Sequence, residues 1–172
     1  MLFIDSFRFK IQTFSILLLA ALFLIGCRDE TRSEIVPPKA KKSVYFPNQI
    51  GSQPVLLQLA MQPNEKASGL MFRKQLASNH GLCFISDRPK QQSFWMRNTQ
   101  IPLDLAHFDA NGTLVEVQQL YPYDETPVKS RHLEIQYSIQ MNQGWFKQHK
   151  IKPGSRLNLN LLQQAIEARG GL

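Results

Sequence analysis

A chain of 172 residues with 43% apolar, 19% charged and 10% aromatic side chains holds the material of one domain and is too apolar to be disordered throughout. Ten prolines and nine glycines exclude a collagen-like or low-complexity chain. The net charge of +7 suits an anionic partner without selecting one.

Residues 1–26 read as an address rather than as part of the fold. Arg8 and Lys10, diluted by Asp5, precede an apolar run from Phe14 to Gly26, shorter than the ~20 residues a spanning helix needs. The run ends in Leu24-Ile25-Gly26-Cys27, which resembles the lipobox of bacterial lipoproteins. That resemblance implies cleavage before Cys27 and acylation of its thiol; the alternatives are an uncleaved anchor or a plain secretory signal. At ~0.8 kcal/mol per buried methylene, two or more acyl chains anchor stably. Arg28 stands where Asp would favour the inner membrane, so the address points to the outer membrane, facing the periplasm. Residues 27–43 carry two prolines and blocks of mixed charge, too little apolar surface to offset ordering entropy, and read as a flexible tether. With Cys27 acylated, Cys83 has no partner for an internal disulfide; within Leu-Cys-Phe-Ile it reads as a buried, inert thiol.

Residues 44–162 read as a β domain, because apolar residues repeat mostly at a period of two. Val55, Leu57, Leu59 and Met61 alternate first; residues 63–72, entered through Pro63, predict a short helix. Segments 81–86, 92–97, 102–108 and 113–120 predict further strands, with Asp109 to Gly112 as a hairpin turn in which Asn111 and Gly112 take positive φ. Ile135, Tyr137, Ile139 and Met141 form one half-buried strand. A short helix at 143–149 follows, then a strand through Leu157, Leu159 and Leu161. Residues 163–172 remain as a tail of frayed helical character. About seven strands with short helices in their connections predict a mainly β fold, a compact sandwich or barrel of jelly-roll type.

Three stretches carry a resemblance: Gly69-Leu-Met-Phe-Arg-Lys-Gln-Leu76 with Gly81 to Phe84 after it; residues 93–117, centred on Phe94-Trp-Met-Arg-Asn-Thr99; and residues 136–159. Together they are similar to the uncharacterised prokaryotic family known as domain of unknown function 192. The resemblance implies a compact, mostly β domain related to jelly rolls, often behind a signal peptide, and no established activity. The family pattern carries carboxylates where this chain has Gln140 and Ser155, so a mechanism routed through them is lost here.

Within the central block, Trp95 and Arg97 share one strand face and predict a cation–π pair, while Phe94 and Met96 face the other way. Trp95 then offers a platform for a ring-containing ligand and Arg97 a site for an anion, or both serve the core edge. Asn98 and Thr99 suit a turn. Asp104, between Leu103 and Leu105, needs a cation or several N–H donors, for which Arg73, Arg97 and the backbone near Asn98 are candidates. The candidate binding set is therefore Arg73, Trp95, Arg97, Asn98 and Asp104, with Trp95 lining a groove beside an Asp104–arginine contact.

No catalytic residue is assigned. His80, His107, His132 and His149 show no metal-type spacing, and neither a nucleophile elbow nor a phosphate or dinucleotide loop occurs, so no metal or cofactor is expected. The basic residues are scattered, so no nucleic acid is expected either. Binding is favoured over catalysis: a lipid-anchored envelope protein whose β domain binds an anionic or ring-containing envelope ligand. A hydrolase or lyase built on Asp104, His107 and Arg97 is the rival, and a structural or assembly module the third reading.

Overall fold

The computed structural model describes residues 44–171, so the signal segment, Cys27 and the tether lie outside the described residues. Six strands form one open mixed sheet in the order β1-β2-β3-β8-β5-β6. They are β1 Phe46–Ile50, β2 Gln53–Ala60, β3 His80–Lys90, β5 Leu103–Phe108, β6 Leu114–Leu120 and β8 Ile135–Asn142. Two short strands, β4 Ser93–Phe94 and β7 Val128–Lys129, pair as a separate ribbon. All neighbours are antiparallel except β2 and β3, whose parallel pairing requires the crossover at residues 61–79. The crossover contains helix α1, Pro63–Ser68.

The mainly β expectation holds, with an open sheet rather than a closed barrel. At one end its edges are tied together by a strap. The Asn158 amide donates to the Gln49 carbonyl at 2.9 Å, and that of Leu157 to the Gly112 carbonyl at 2.8 Å.

Strand alternation gives the sheet two apolar faces. Leu57, Cys83, Ile139, Met141 and Phe108 point to one, where Trp145 and Phe146 of helix α2 (Trp145–Gln148) and Leu162 and Ile166 of helix α3 (Leu159–Ala168) cover them. Cys83 is fully buried there, and burial pushes its thiol up to about 12. Leu82, Phe84, Leu103, Leu105 and Leu120 point to the opposite face. Loops rather than helices cover that side, through Leu70, Leu76, Met96 and Ile101.

Several elements depart from the expected bounds. The strand expected through Leu157, Leu159 and Leu161 is a single bridge at Leu157 to Ile50, followed at once by α3. Asn158 caps that helix by accepting the Leu161 amide at 3.1 Å. Residues beyond 162 are then no separate tail, since Ala165 and Ile166 are buried in the core. The strand expected at 92–97 shortens to Ser93–Phe94. Helix α1 stops at Ser68 rather than 72 because Gly69 turns to φ 48°. In the hairpin turn only Gly112 takes positive φ (73°); Asp109 Oδ1 secures the turn by accepting the amides of Asn111 and Thr113.

Candidate functional site

The signature residues sit in the loop cap, which three segments zip together. The Phe72 amide donates to the Asn98 carbonyl at 2.8 Å, and the Tyr123 amide to the Thr99 carbonyl at 3.0 Å. The Met96 amide donates to the Asp124 carbonyl at 2.7 Å. Phe72, Asn98 and Tyr123 take φ of 62°, 54° and 61°, a left-handed backbone that is uncommon outside glycine and strained for an aromatic residue. Phe72 bonds Asn98 directly and Tyr123 bonds the adjacent Thr99, so three of the four described non-glycine residues with positive φ gather in the cap.

Between the end of α1 and the segment 92–95 the cap leaves a cleft of about 150 Å³. Gly69 and Leu70 line one side and Ser93, Phe94 and Trp95 the other, with Phe84 and Gln140 beneath. Trp95 is 45% exposed, and the Arg97 guanidinium lies over its ring at 5.6 Å from the centroid. The expected cation–π pair thus forms at the mouth of the cleft, an interaction of ~0.5–2 kcal/mol. Phe84 and Phe94 meet edge to face at 5.0 Å and make an apolar wall.

Gln140 is the unexpected member. It pairs with Leu82 on one side and Leu105 on the other, so its carboxamide stands on the apolar cap face of the sheet. It is 4% exposed, and its Oε1 has no hydrogen-bond partner among the described residues. An unsatisfied buried polar group costs about 1–3 kcal/mol. Sequence reading noted residue 140 as a departure from the family pattern and did not place it in a site. In the sequence Gln140 alternates with apolar residues in line with Gln136, Ser138 and Asn142 and reads as part of a solvated face; the register that sets it between Leu82 and Leu105 is what buries it.

Of the candidate set, Trp95 lines the cleft, with Arg97 against its ring; Asn98 forms the turn beneath the cap. Arg73 is drawn off to the edge of the sheet, where it donates to Tyr45 Oη at 2.9 Å and to Gln58 Oε1. Asp104 lies elsewhere. Its register partners are Met141 and Gln119, which places its carboxylate on the helix face, across the sheet from Gln140 and the cap. The expected arginine contact is replaced by backbone amides at the start of α2: Gly144 donates to Asp104 Oδ2 at 2.9 Å, and Phe146 donates as well. Burial holds this carboxyl above the usual carboxylate range, and the two amides offset part of that rise.

The same alternation separates Asp104 from His107, three residues along one strand and therefore on the opposite face. His107 is fully buried, with Nε2 3.1 Å from Gln118 Oε1 and Nδ1 2.8 Å from Ser138 Oγ. Gln118 spends its amide donor on the Lys129 carbonyl, so its oxygen faces the ring and Nε2 carries the proton. Burial keeps this histidine below its ordinary range; the hydrogen bond it donates to Gln118 Oε1 and the charge of Glu116 act in the other direction. Asp104, His107 and Arg97 do not form one constellation.

Comparison with known proteins agrees with this anatomy. A family model described as "Uncharacterized ACR, COG1430", the domain of unknown function 192, matches residues 46–159, from β1 into the first turn of α3. No curated protein matches the chain. Among solved structures, a candidate transcription regulator from Sinorhizobium meliloti 1021 is similar, with a TM-score of 0.66 and 26% identity over 70% of this chain and 97% of that one. A protein of unknown function from Novosphingobium aromaticivorans DSM 12444 is also similar, with a TM-score of 0.63 and 30% identity over 66% of this chain and 84% of that one. With the match running through both walls and the floor of the cleft, the chain belongs to the domain of unknown function 192 family.

Proposed function

We propose that this protein is a small binding module of the bacterial cell envelope, held to the membrane by acylated Cys27 and facing the periplasm, outer membrane rather than inner. Its cleft beneath Trp95 receives a small ligand. The observation that carries the reading is the Gln140 carboxamide, buried to 4% exposure and without a partner for Oε1, at the floor of a cleft whose mouth is an exposed indole. Ligand pockets combine apolar walls with placed polar groups, and this cleft sets Leu70, Phe84 and Phe94 beside Ser68, Gln92, Ser93, Thr99 and Gln140. A ligand that donates a hydrogen bond to Oε1 gains the 1–3 kcal/mol or so that an unsatisfied buried acceptor costs. The basic n-region, the short apolar run and the Leu-Ile-Gly-Cys box support the envelope address.

Two experiments test the two halves. A fragment screen followed by NMR should give saturable shifts at the Trp95 indole N–H and the Gln140 side-chain amide. Shifts confined to residues outside the cleft would overturn the binding reading. For the address, Cys27→Ser should abolish incorporation of a labelled fatty acid and release the protein from membranes. A Cys27→Ser protein that stays with the membrane through a carbonate wash would refute the lipid anchor.

A further inference from the structure

We infer that the cleft takes the acetamido group of an N-acetylated amino sugar, with the sugar ring lying at the mouth against Trp95. This rests on the binding reading above and goes on to name the ligand class. At the floor, the Gln140 carboxamide stands between Leu82 and Leu105, and among the described residues no donor reaches its Oε1. A carboxamide offers an acceptor and a donor at its two ends, and rotation about its last side-chain bond presents either one to the cleft. The neutral group that answers it is another amide. An acetamido N–H donates to Oε1, or its carbonyl accepts from Nε2.

The walls select the rest of that group. Phe84, Phe94 and Leu70 give the cleft an apolar wall beside the carboxamide, suited to a methyl group, while Ser68, Gln92, Ser93 and Thr99 also line it and can bond a sugar's hydroxyls. A phosphate or carboxylate at the floor would meet only a neutral amide. The nearby cations are engaged at the rim: Lys66 lies 3.6 Å from Asp87, and Arg97 lies over the indole. A volume of about 150 Å³ accepts an acetamido group and part of one ring, which leaves the rest of a sugar at the mouth. There the 45% exposed Trp95 presents an aromatic surface of the kind that apolar ring faces stack on.

The test uses the full-length chain, purified in a detergent without a sugar headgroup. Its tryptophan emission is titrated with N-acetylglucosamine, glucosamine and glucose. Trp145 is 3% exposed and supplies a constant background, so a change reports on Trp95. N-acetylglucosamine should give a saturable change, with glucosamine and glucose at least tenfold weaker. Gln140→Leu should weaken N-acetylglucosamine at least tenfold without lowering the melting temperature, because it removes a buried group that has no partner. Trp95→Ala should abolish binding measured by calorimetry. Glucose or glucosamine binding as tightly as the acetylated sugar would overturn the acetamido assignment while leaving the cleft a binding site. So would a cleft that answers fragments in the NMR screen and ignores all three sugars. Silence toward every fragment and every sugar would overturn both readings.

Discussion

At the scale of single residues, the side chains that decide most are the polar ones on apolar strands, and Asp104 has the clearest consequence. Its carboxyl is held above the usual range, so the folded state keeps the proton to higher pH than the unfolded chain does. Its stabilising contribution is full below the unfolded value of about 3.9 and falls as pH rises through the raised folded value. Asp104→Asn mimics the protonated form and keeps an acceptor for the amides of Gly144 and Phe146. The stability of the variant relative to wild type should therefore improve as pH rises above about 4 in denaturant titrations. A relative stability that worsens over that range would reverse the assignment. Asp104→Ala removes the acceptor and should cost roughly 1–3 kcal/mol. Gly81 is constrained by space instead of charge. A Cβ there would stand 2.8 Å from the Gln140 carbonyl and 2.4 Å from Met141 Sδ, and the carbonyl belongs to the neighbouring strand's backbone. Gly81→Ala should force β3 and β8 apart, lower the melting temperature and disturb the floor of the cleft. A melting curve like that of the wild type would show that the strands can yield.

Elements were legible in the sequence where one period ruled and illegible where two overlapped. The alternation of apolar residues along β2 and β8 reports strands directly, although β5 is buried along its whole length and β8 on both faces, so burial itself keeps no period of two there. Leu157, Leu159 and Leu161 also alternate, yet Leu162, Ala165 and Ile166 repeat at helical spacing with Asn158 as their cap, and the helix wins from residue 159 onward. Strand β1 contains Pro47 and shows little alternation; it forms as an edge strand, where a proline is tolerated. The site was legible only in part. Trp95 and Arg97 are two residues apart, and local geometry suffices to bring them together. The pairing of Asp104 with Arg97 or Arg73 was expected from proximity in the motif. The face on which each residue stands depends on strand direction and register, to which a motif is blind. Helix α3 gives a direct test at this scale. Ile166 is 6% exposed within the helix-face core, and Arg169 binds Glu65 of α1 and the Leu59 carbonyl. Ile166→Ala should cost about 2–5 kcal/mol by chemical denaturation. A chain ended at residue 162 should fail to give a cooperative transition. Folding of that truncated chain with an unchanged midpoint would mean α3 is dispensable.

For the whole molecule, the strand order carries a consequence for how the chain matures. Strand β8, the last to be synthesised, lies in the middle of the sheet between β3 and β5. Until residues 135–142 arrive, the strands of the main sheet can make only two separate pieces, β1-β2-β3 and the β5-β6 hairpin, each with an open edge, beside the small β4-β7 ribbon. Closing the gap joins residues tens of positions apart on both sides, and such non-local pairing sets slow folding. Ile139→Val, at the centre of β8, should therefore slow refolding as well as speed unfolding in stopped-flow measurements. An effect confined to the unfolding limb would place β8 insertion after the rate-limiting step. Because Gln140 rides on this strand, the cleft acquires its floor only when the sheet is complete. A half-made chain has the tryptophan with nothing beneath it, so the ligand site proposed above is complete only once β8 is in place.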